Sequence, residues 1–203
     1  MYFVKAPRIL KKLYPQNLTW KRASKDKVYL TFDDGPHASA TPFVLAELQK
    51  YNAKATFFCI GQNVLALPNI YQQILHEGHK IGNHTHSHPN GWKMSSQKYI
   101  DNIKEAQAHI DSQLFRPPYG RIRSRQAKAI RKMGFEIILW DVLSGDFDTQ
   151  ISPQKCWENI EQNLEPGSIV VFHDSSKAWE RMQYALPRTL AFCQEKGWEM
   201  ASL

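Results

Sequence analysis

The stretch that decides the fold is Val28-Tyr29-Leu30-Thr31-Phe32-Asp33-Asp34-Gly35-Pro36, in which an apolar run gives way to a polar turn. A short run of β-branched and aromatic residues that ends in Gly and Pro predicts a buried strand followed by a turn. Similar apolar runs recur at residues 55–60, 80–83, 136–143 and 168–172. The sequence therefore predicts a sheet of several short strands.

The segments between these runs have helical patterns, and the junctions back to the next strand are alike. A glycine stands at each junction at Gly78, Gly134 and Gly197, and Asn52 occupies the same place earlier in the chain. A left-handed residue that ends a helix just before a strand is typical of repeated βα units, which build a parallel sheet or barrel. About six units fit a short or incomplete (β/α) barrel better than a full one. No segment rich in Pro, Gly or Ser divides residues 28–203, so we predict a single domain there.

The net positive charge of the chain is concentrated in residues 1–27. Residues 1–27 contain eight Lys/Arg and one acidic residue, which equals the net charge of +7 of the whole chain, so residues 28–203 are balanced. Charge without a recognised binding motif does not indicate a nucleic-acid partner, and we expect none. We interpret residues 1–27 as a basic arm packed on the body, and we expect removal of residues 1–22 to leave the chemistry intact. The side chains expected to hold the arm are Tyr2, Phe3, Ile9, Leu10, Leu13 and Trp20.

Hydropathy and cysteine content predict a chain without a membrane span and without disulfides, and we take it to be a monomer. No run of about 18 apolar residues occurs, so no transmembrane segment is predicted. The start of the chain is interrupted early by charged residues and by Pro7, unlike a secretory signal, which makes the cytoplasm the default compartment. The cysteines Cys59, Cys156 and Cys193 are far apart and form no CxxC motif, so we expect free thiols.

Polar clusters directly follow the predicted strands, where parallel α/β folds place their functional groups. The adjacent carboxylates Asp33 and Asp34 are by themselves equally compatible with a simple turn. Three histidines in five residues, His84, His86 and His88, favour a metal site, because imidazole is a common zinc ligand. An extended segment would place all three on one face, whereas a helical one would pair His84 with His88. Two histidines and one aspartate would leave a ligand position for water.

Five motifs together resemble the polysaccharide deacetylases of carbohydrate esterase family 4, the NodB homology domain. They occur in the family's order at residues 31–36, 84–88, 116–120, 140–147 and 171–173, and the resemblance runs from about Val28 to the end of the chain. The resemblance implies a distorted (β/α) barrel, in agreement with the junction pattern. It also implies a secreted or cell-envelope location for many relatives, which contrasts with the N-terminus seen here.

The resemblance also implies specific roles. Asp33 corresponds to the general base, and Asp34 corresponds to a metal ligand together with His84 and His88, which removes His86 from the ligand set. The metal would be one divalent ion, with Zn²⁺ as the default from ligand type and Co²⁺, Ni²⁺ or Fe²⁺ as alternatives.

Four further positions complete the implied machinery. Arg116 resembles the arginine that holds the base, and the Tyr119 N–H resembles the donor to the oxyanion. His173 corresponds to the general acid, and Asp146 to the carboxylate that orients it. The positions implied to line the substrate and its acyl group are Tyr119, Phe147, Val171 and Trp140. At two of these, Phe147 and Val171 replace the Trp and Leu frequent in relatives.

The function implied is metal-dependent removal of N-acetyl groups from an N-acetylglucosamine-containing poly- or oligosaccharide, such as peptidoglycan or a chitin-like glycan. One alternative is an amide or imide hydrolase of the same fold acting on a non-polymeric substrate. A metal-free hydrolase of that kind would not need both His84 and His88. The other alternative is a non-enzymatic binder of anionic surfaces, against which the balanced charge of residues 28–203 argues.

Overall fold

The fold is a curled parallel sheet, seen in a computed structural model that describes residues 2–15 and 17–203. Within these residues, eight strands pair in parallel in the order β5-β4-β3-β2-β1-β7-β6, and β8 pairs with the first part of β1. The sheet curls into an open half-barrel, which confirms the predicted fold class. The strands are β1 (Lys27–Asp33), β2 (Thr56–Cys59), β3 (Lys80–Asn83), β4 (Leu114–Phe115), β5 (Glu136–Ile137), β6 (Val142–Leu143), β7 (Ile169–His173) and β8 (Glu199–Ala201).

Helices connect successive strands except β5 and β6, and α1 precedes β1. Among the described residues they are α1 (Arg8–Leu13), α2 (Ala40–Lys50), α3 (Gly61–Ala66), α4 (Pro68–His76), α5 (Ser96–Gln107), α6 (Ser124–Lys132), α7 (Pro153–Glu161) and α8 (Trp179–Glu195), with a 3₁₀ turn at Pro118–Gly120. The predicted left-handed junction residues are confirmed, because Asn52, Gly78, Gly134 and Gly197 all have positive φ. None of the helices within the described part of the chain is long and apolar enough to cross a membrane.

One predicted strand is wrong as a continuous element. Residues 136–143 form two short strands, β5 and β6, separated by an irregular stretch. The backbone carbonyls of Ile138 and Leu139 in this stretch accept from the buried Arg116 guanidinium, at 3.4 and 3.3 Å. Leu139 N also donates to the Thr19 carbonyl at 2.7 Å. These backbone groups therefore bond to Arg116 and to the N-terminal arm.

The arm, residues 2–15 and 17–27, contacts the body through polar groups and through the partly buried side chains of Tyr14 and Leu18. Lys5 Nζ contacts Asp141 at 2.8 Å and Glu165 at 3.0 Å, and Arg22 forms a two-pronged ion pair with Glu136. Tyr2 and Trp20 are half-buried, as expected. The expectation for three other apolar side chains is wrong, because they project into solvent from the short α1 and the segment before it: Phe3, Ile9 and Leu13 are 56%, 72% and 79% exposed. The Leu10 side chain lies outside the described set.

A stack of aromatic rings fills the core beneath the functional end of the sheet. The Phe32 ring on β1 lies between Phe57 on β2, with ring centres 5.1 Å apart, and Phe172 on β7, at 5.8 Å. All three side chains are fully buried. Because Phe32 immediately precedes Asp33, this stack fixes the position of the carboxylates at the end of β1.

We expect Phe32→Ala to lower the free energy of unfolding by about 3–5 kcal/mol, because it removes a buried ring from a close-packed stack and leaves a cavity. Urea unfolding followed by circular dichroism measures the change. The matched control is Leu65→Ala on α3, where the side chain is 54% exposed, and we expect a change within about 0.5 kcal/mol. Equal effects of the two substitutions would contradict this role of the aromatic stack.

Candidate active site

The sequence-predicted groups meet because the strands that carry them are parallel. Asp33 ends β1 and His173 ends β7, and the two residues are paired in register. His84 follows the end of β3, and Arg116 follows the end of β4. All four groups therefore lie at the carboxyl edge of one sheet, with Asp34 in the turn that follows β1.

Arg116 fixes the position of Asp33. Its guanidinium is fully buried, and Nη1 donates to Asp33 Oδ1 and to Thr31 Oγ1, both at 2.7 Å. The guanidinium also lies 4.1 Å from the centre of the Phe58 ring. Burial lowers the pKa of Arg116, and the neighbouring Asp33 carboxylate opposes that shift. One carboxylate oxygen of Asp33 is thus used for positioning, and the other remains for chemistry.

Asp34, His84 and His88 form a cluster with the spacing of a metal site. Their ligand atoms all lie within 4.8 Å of one another. Asp34 Oδ1 is 3.1 Å from His88 Nε2 and 3.7 Å from His84 Nε2. Among the described residues this buried oxygen has no partner in hydrogen-bond geometry. Two imidazoles and a carboxylate that has an unsatisfied buried oxygen fit a divalent ion such as zinc, with room for further ligands.

Neighbouring groups prepare both His84 and Asp34 for that role. His84 Nδ1 lies 2.7 Å from the Arg116 carbonyl oxygen, so Nδ1–H donates and Nε2 keeps its lone pair for a metal. Burial lowers the pKa of His84 to about 4, which keeps the imidazole neutral. Burial acts to raise the pKa of Asp34, but the imidazole of His88 and the charge of His173 outweigh it and hold that pKa well below its ordinary value.

The histidine segment is neither extended nor helical. Thr85 and His88 both have positive φ, and Thr85 Oγ1 accepts from the His88 N–H at 3.0 Å, which closes a tight turn. This turn brings His84 and His88 together, with ring centres 5.0 Å apart. His86 is directed instead towards Glu105 on α5, 3.2 Å from its Nε2. The helical alternative considered from the sequence correctly predicted that His84 lies next to His88. The backbone of the segment, however, is a turn and not a helix.

His173 and Asp146 form a second pair. His173 Nδ1 lies 2.7 Å from Asp146 Oδ1, and the His173 backbone N–H donates to Oδ2 of the same carboxylate, also at 2.7 Å. Arg181 Nε donates to the Asp146 carbonyl at 2.7 Å and holds the loop in place. Burial acts to lower the pKa of His173, but the charge and hydrogen bond of Asp146 dominate and raise it to about 9. The imidazole is therefore protonated at neutral pH.

The remaining predicted residues line or support the rim. Tyr119 is 60% exposed, has a φ of 60° and places its ring 4.6 Å from that of His88. Trp140 packs under the same turn, so close that a Cβ on Gly120 would lie 2.8 Å from it. Phe147 contacts His173 with ring centres 5.2 Å apart. Val171 is 1% exposed and is covered by its neighbours, and its role as an acyl-pocket residue stays a prediction.

Asp174 is a residue that sequence reasoning missed. It is fully buried behind the Asp33-Asp34 turn, where burial raises its pKa to about 8. Its Oδ2 accepts from Thr41 Oγ1 at 2.5 Å. A Cβ at Gly35 would lie 2.1 Å from the same oxygen, so the turn needs glycine for this close approach. The signal available in the sequence was that Asp174 directly follows His173 at the end of an apolar strand.

A proton acceptor, a proton donor and a candidate metal centre at one sheet edge are what hydrolysis of an unactivated amide requires. Fold and site together therefore point to a hydrolase.

Comparison with known proteins agrees with a hydrolase. Residues 21–138 match the polysaccharide deacetylase family. Two peptidoglycan-N-acetylglucosamine deacetylases of Bacillus cereus are 38% identical over 158 residues (75% of this chain, 57% of the relative) and 31% identical over 193 residues (92% and 91%). The chain thus spans just over half of the first relative and nearly all of the second. The solved structure of the peptidoglycan N-acetylglucosamine deacetylase Bc1960 superposes with a TM-score of 0.88 at 32% identity, covering 97% of this chain and 94% of that one.

This chain belongs to the polysaccharide deacetylase family, carbohydrate esterase family 4. The resemblance inferred from five motifs is confirmed. The expected class, a hydrolase of amide bonds in N-acetylated glycans, agrees with the names of these relatives.

We expect His84→Ala and His88→Ala to lose bound metal, because each removes one of three clustered ligands. The loss of affinity should exceed the ~10–100-fold that outer partners of a metal site cost. The matched control is His86→Ala, which removes a histidine from the same turn but from outside the cluster. Elemental analysis of the purified proteins gives the metal content. A His86→Ala protein as depleted as the other two would contradict the ligand assignment.

Proposed function

We propose that this chain removes N-acetyl groups from N-acetylglucosamine-containing glycans, of the peptidoglycan or chitin type, with the assistance of one divalent metal ion. The observation that carries the proposal is the Asp34, His84 and His88 cluster beside Asp33 and the His173–Asp146 pair, all at one sheet edge. The substrates named for the Bacillus relatives supply the glycan class.

Asp34 Oδ1 and the Nε2 atoms of His84 and His88 would hold the ion. By ligand type Zn²⁺ is favoured, with Co²⁺, Ni²⁺ and Fe²⁺ as alternatives. When bound, such an ion supplies polarisation of the acetamide carbonyl and activation of a water molecule. The neutral state of His84 and the ionised state of Asp34 are those that ligation requires.

Asp33 is the general base in this proposal. The Arg116 contact at Oδ1 holds the carboxylate in place, so Oδ2 can take a proton from the attacking water without loss of orientation. The neighbouring Asp34 is directed to the histidines. The two adjacent carboxylates therefore have different tasks because they have different partners.

His173 is the general acid. Its Nδ1–H is held by Asp146, which leaves Nε2–H to donate a proton to the sugar nitrogen as the carbon–nitrogen bond breaks. The same carboxylate stabilises the charged imidazolium before transfer. The water proton thus passes to Asp33, and a second proton reaches the leaving amine from His173.

The remaining positions bind and orient the acyl group. The Tyr119 N–H would donate to the oxygen on which negative charge develops. Phe147, Val171 and Trp140 would surround the acetyl methyl, and the Tyr119 side chain would border the sugar from the exposed rim. The buried state of Val171 limits its part to the wall behind the pocket.

A substrate panel tests the function directly. The purified protein is incubated with N-acetylated oligosaccharides, peptidoglycan fragments and small non-glycan amides, with and without a chelator, and released acetate and mass loss are measured. We expect chelator-sensitive deacetylation of the glycans. Release from the small amides alone would favour the amide hydrolase alternative, and no release from any substrate would overturn the proposal.

We expect Asp33→Asn to retain metal but to lose about 10²–10⁴-fold in kcat, because it removes a base and not a ligand. The substitution also leaves the buried Arg116 without its anionic partner, so activity is measured below the unfolding transition determined for the variant itself. Asp101→Asn, on the exposed face of α5, is the matched control and should keep parental turnover. A folded Asp33→Asn protein within about threefold of the parent would exclude Asp33 as the base.

We expect Asp146→Asn to move the alkaline limb of the kcat/KM profile to lower pH. The general acid must be protonated, and Asp146 raises the pKa of His173 to about 9, so activity is lost as the pH rises through that value. Without the negative charge, the pKa of His173 falls and the proton is lost earlier. Rates measured from pH 5 to 10 with one oligosaccharide test this. An alkaline limb that does not move would show that it does not report His173.

A further inference from the structure

An open cavity of about 440 Å³ lies at the surface beside the active site, and apart from Phe147 its lining residues have no part in the mechanism above. It is lined by Tyr2, Phe147, Asp148, Thr149 and Lys177. Its volume falls within the ~300–1,000 Å³ of typical small-ligand sites. Phe147 connects it to the chemistry, because the other side of this residue contacts His173, with ring centres 5.2 Å apart.

The N-terminal arm supplies one wall of this cavity. The Tyr2 ring packs against Phe147, with centres 5.1 Å apart and a tilt of 59°, and the Tyr2 hydroxyl donates to Asp148 Oδ2 at 3.0 Å. A Cβ on Gly145 would lie 2.9 Å from the Tyr2 oxygen, so the body leaves space for this ring. Three residues further on, Lys5 attaches the arm through its contacts with Asp141 and Glu165.

The lining has the chemistry of a carbohydrate site. Two aromatic rings offer apolar surfaces to the C–H faces of a pyranose. Around them stand an acceptor carboxylate, a hydroxyl that can donate or accept, and an ammonium donor, from Asp148, Thr149 and Lys177. Amphipathic rings flanked by such groups match the alternation of C–H faces and hydroxyl rims on a sugar. Because opposite charges share the cavity, a neutral saccharide fits it better than an anion or a cation.

We propose that this cavity is a saccharide subsite that binds the sugar next to the one being deacetylated, and that Tyr2 is its specificity-determining residue. The inference rests on the proposed function, since it needs the glycan to pass His173. The arm then takes part in recognition of longer glycans, while the chemistry on a single sugar remains with residues of the body. The expectation that the arm is dispensable therefore applies to the smallest substrates only.

Kinetics across substrate length test the subsite. Tyr2→Ala, Tyr2→Phe and the parent are compared on a single-sugar N-acetylglucosaminide and on di- to hexasaccharides of N-acetylglucosamine. For Tyr2→Ala we expect KM to rise about threefold to tenfold on the longer oligomers, the size of effect of one aromatic contact, with kcat unchanged and the single-sugar substrate unaffected. Tyr2→Phe keeps the ring and should stay near the parent. The matched control is Phe3→Ala, an arm side chain that is 56% exposed and should change nothing.

Binding without turnover separates this inference from the proposed function. Calorimetric titration of each protein with β-1,4-linked glucose oligomers, which are neutral and have no N-acetyl group to react, should show the same weakening for Tyr2→Ala. If the enzyme is active but Tyr2→Ala and Phe3→Ala have equal KM on the hexasaccharide and equal affinity for the glucose oligomers, the subsite is overturned and the proposed function stands. Equal loss on single-sugar and longer substrates would also overturn it, because that pattern indicates displacement of His173 through Phe147. If no protein deacetylates any glycan, the proposed function fails and the titration alone decides the subsite.

Discussion

A buried ion pair between Arg116 and Asp33 organises both the sheet and the site. A guanidinium without solvent needs protein partners for its five N–H donors, and here four hydrogen bonds go to the Asp33 carboxylate, to a threonine of the same strand and to two carbonyls between β5 and β6. The backbone oxygen of the same arginine fixes the tautomer of His84. Removing one member of such a pair is typically destabilising by about 3–5 kcal/mol, because the other remains buried and unpaired. The position of Asp33, the tautomer of His84 and the path of the chain between β5 and β6 thus depend on this one residue.

The site also contains strained backbone. Asp34, Thr85, His88 and Tyr119 all have positive φ, a conformation that costs a side-chain-bearing residue of order 1–3 kcal/mol. These four residues lie in the loops of the candidate metal cluster and of the proposed oxyanion donor. They are held there by the turn hydrogen bond of Thr85 and by the well-packed aromatic core below. The strain turns ligand atoms towards one another, which a relaxed extended or helical segment would not do.

The sequence predicted the elements that depend on local pattern and missed those that depend on distant partners. Apolar runs and left-handed junction residues identified most of the strands and the parallel class, and the motifs at strand ends identified the groups that meet. The division of residues 136–143 could not be seen, because it follows from Arg116 and Thr19, which bond to that stretch from elsewhere. The exposure of Phe3, Ile9 and Leu13 was missed because apolar residues in a short basic segment give no information on which ones find a surface. Tyr2 meets Asp148 across 146 residues, a distance over which periodicity says nothing.

In the proposed subsite, the attachment of the arm would make glycan binding sensitive to ionic strength. Glu165 forms ion pairs with both Lys21 and Lys5, and these ammonium groups hold the pKa of its carboxyl at about 2. The Glu165 side chain is 53% exposed. Dissolved salt screens such pairs, since the Debye length is only about 8 Å at physiological ionic strength. A weaker attachment at Lys5 and Lys21 loosens the segment that carries Tyr2. Salt would then lower the affinity for long, uncharged glycans while leaving the buried contacts of Arg116 unaffected. The ionic strength would thus affect the binding of a ligand that carries no charge.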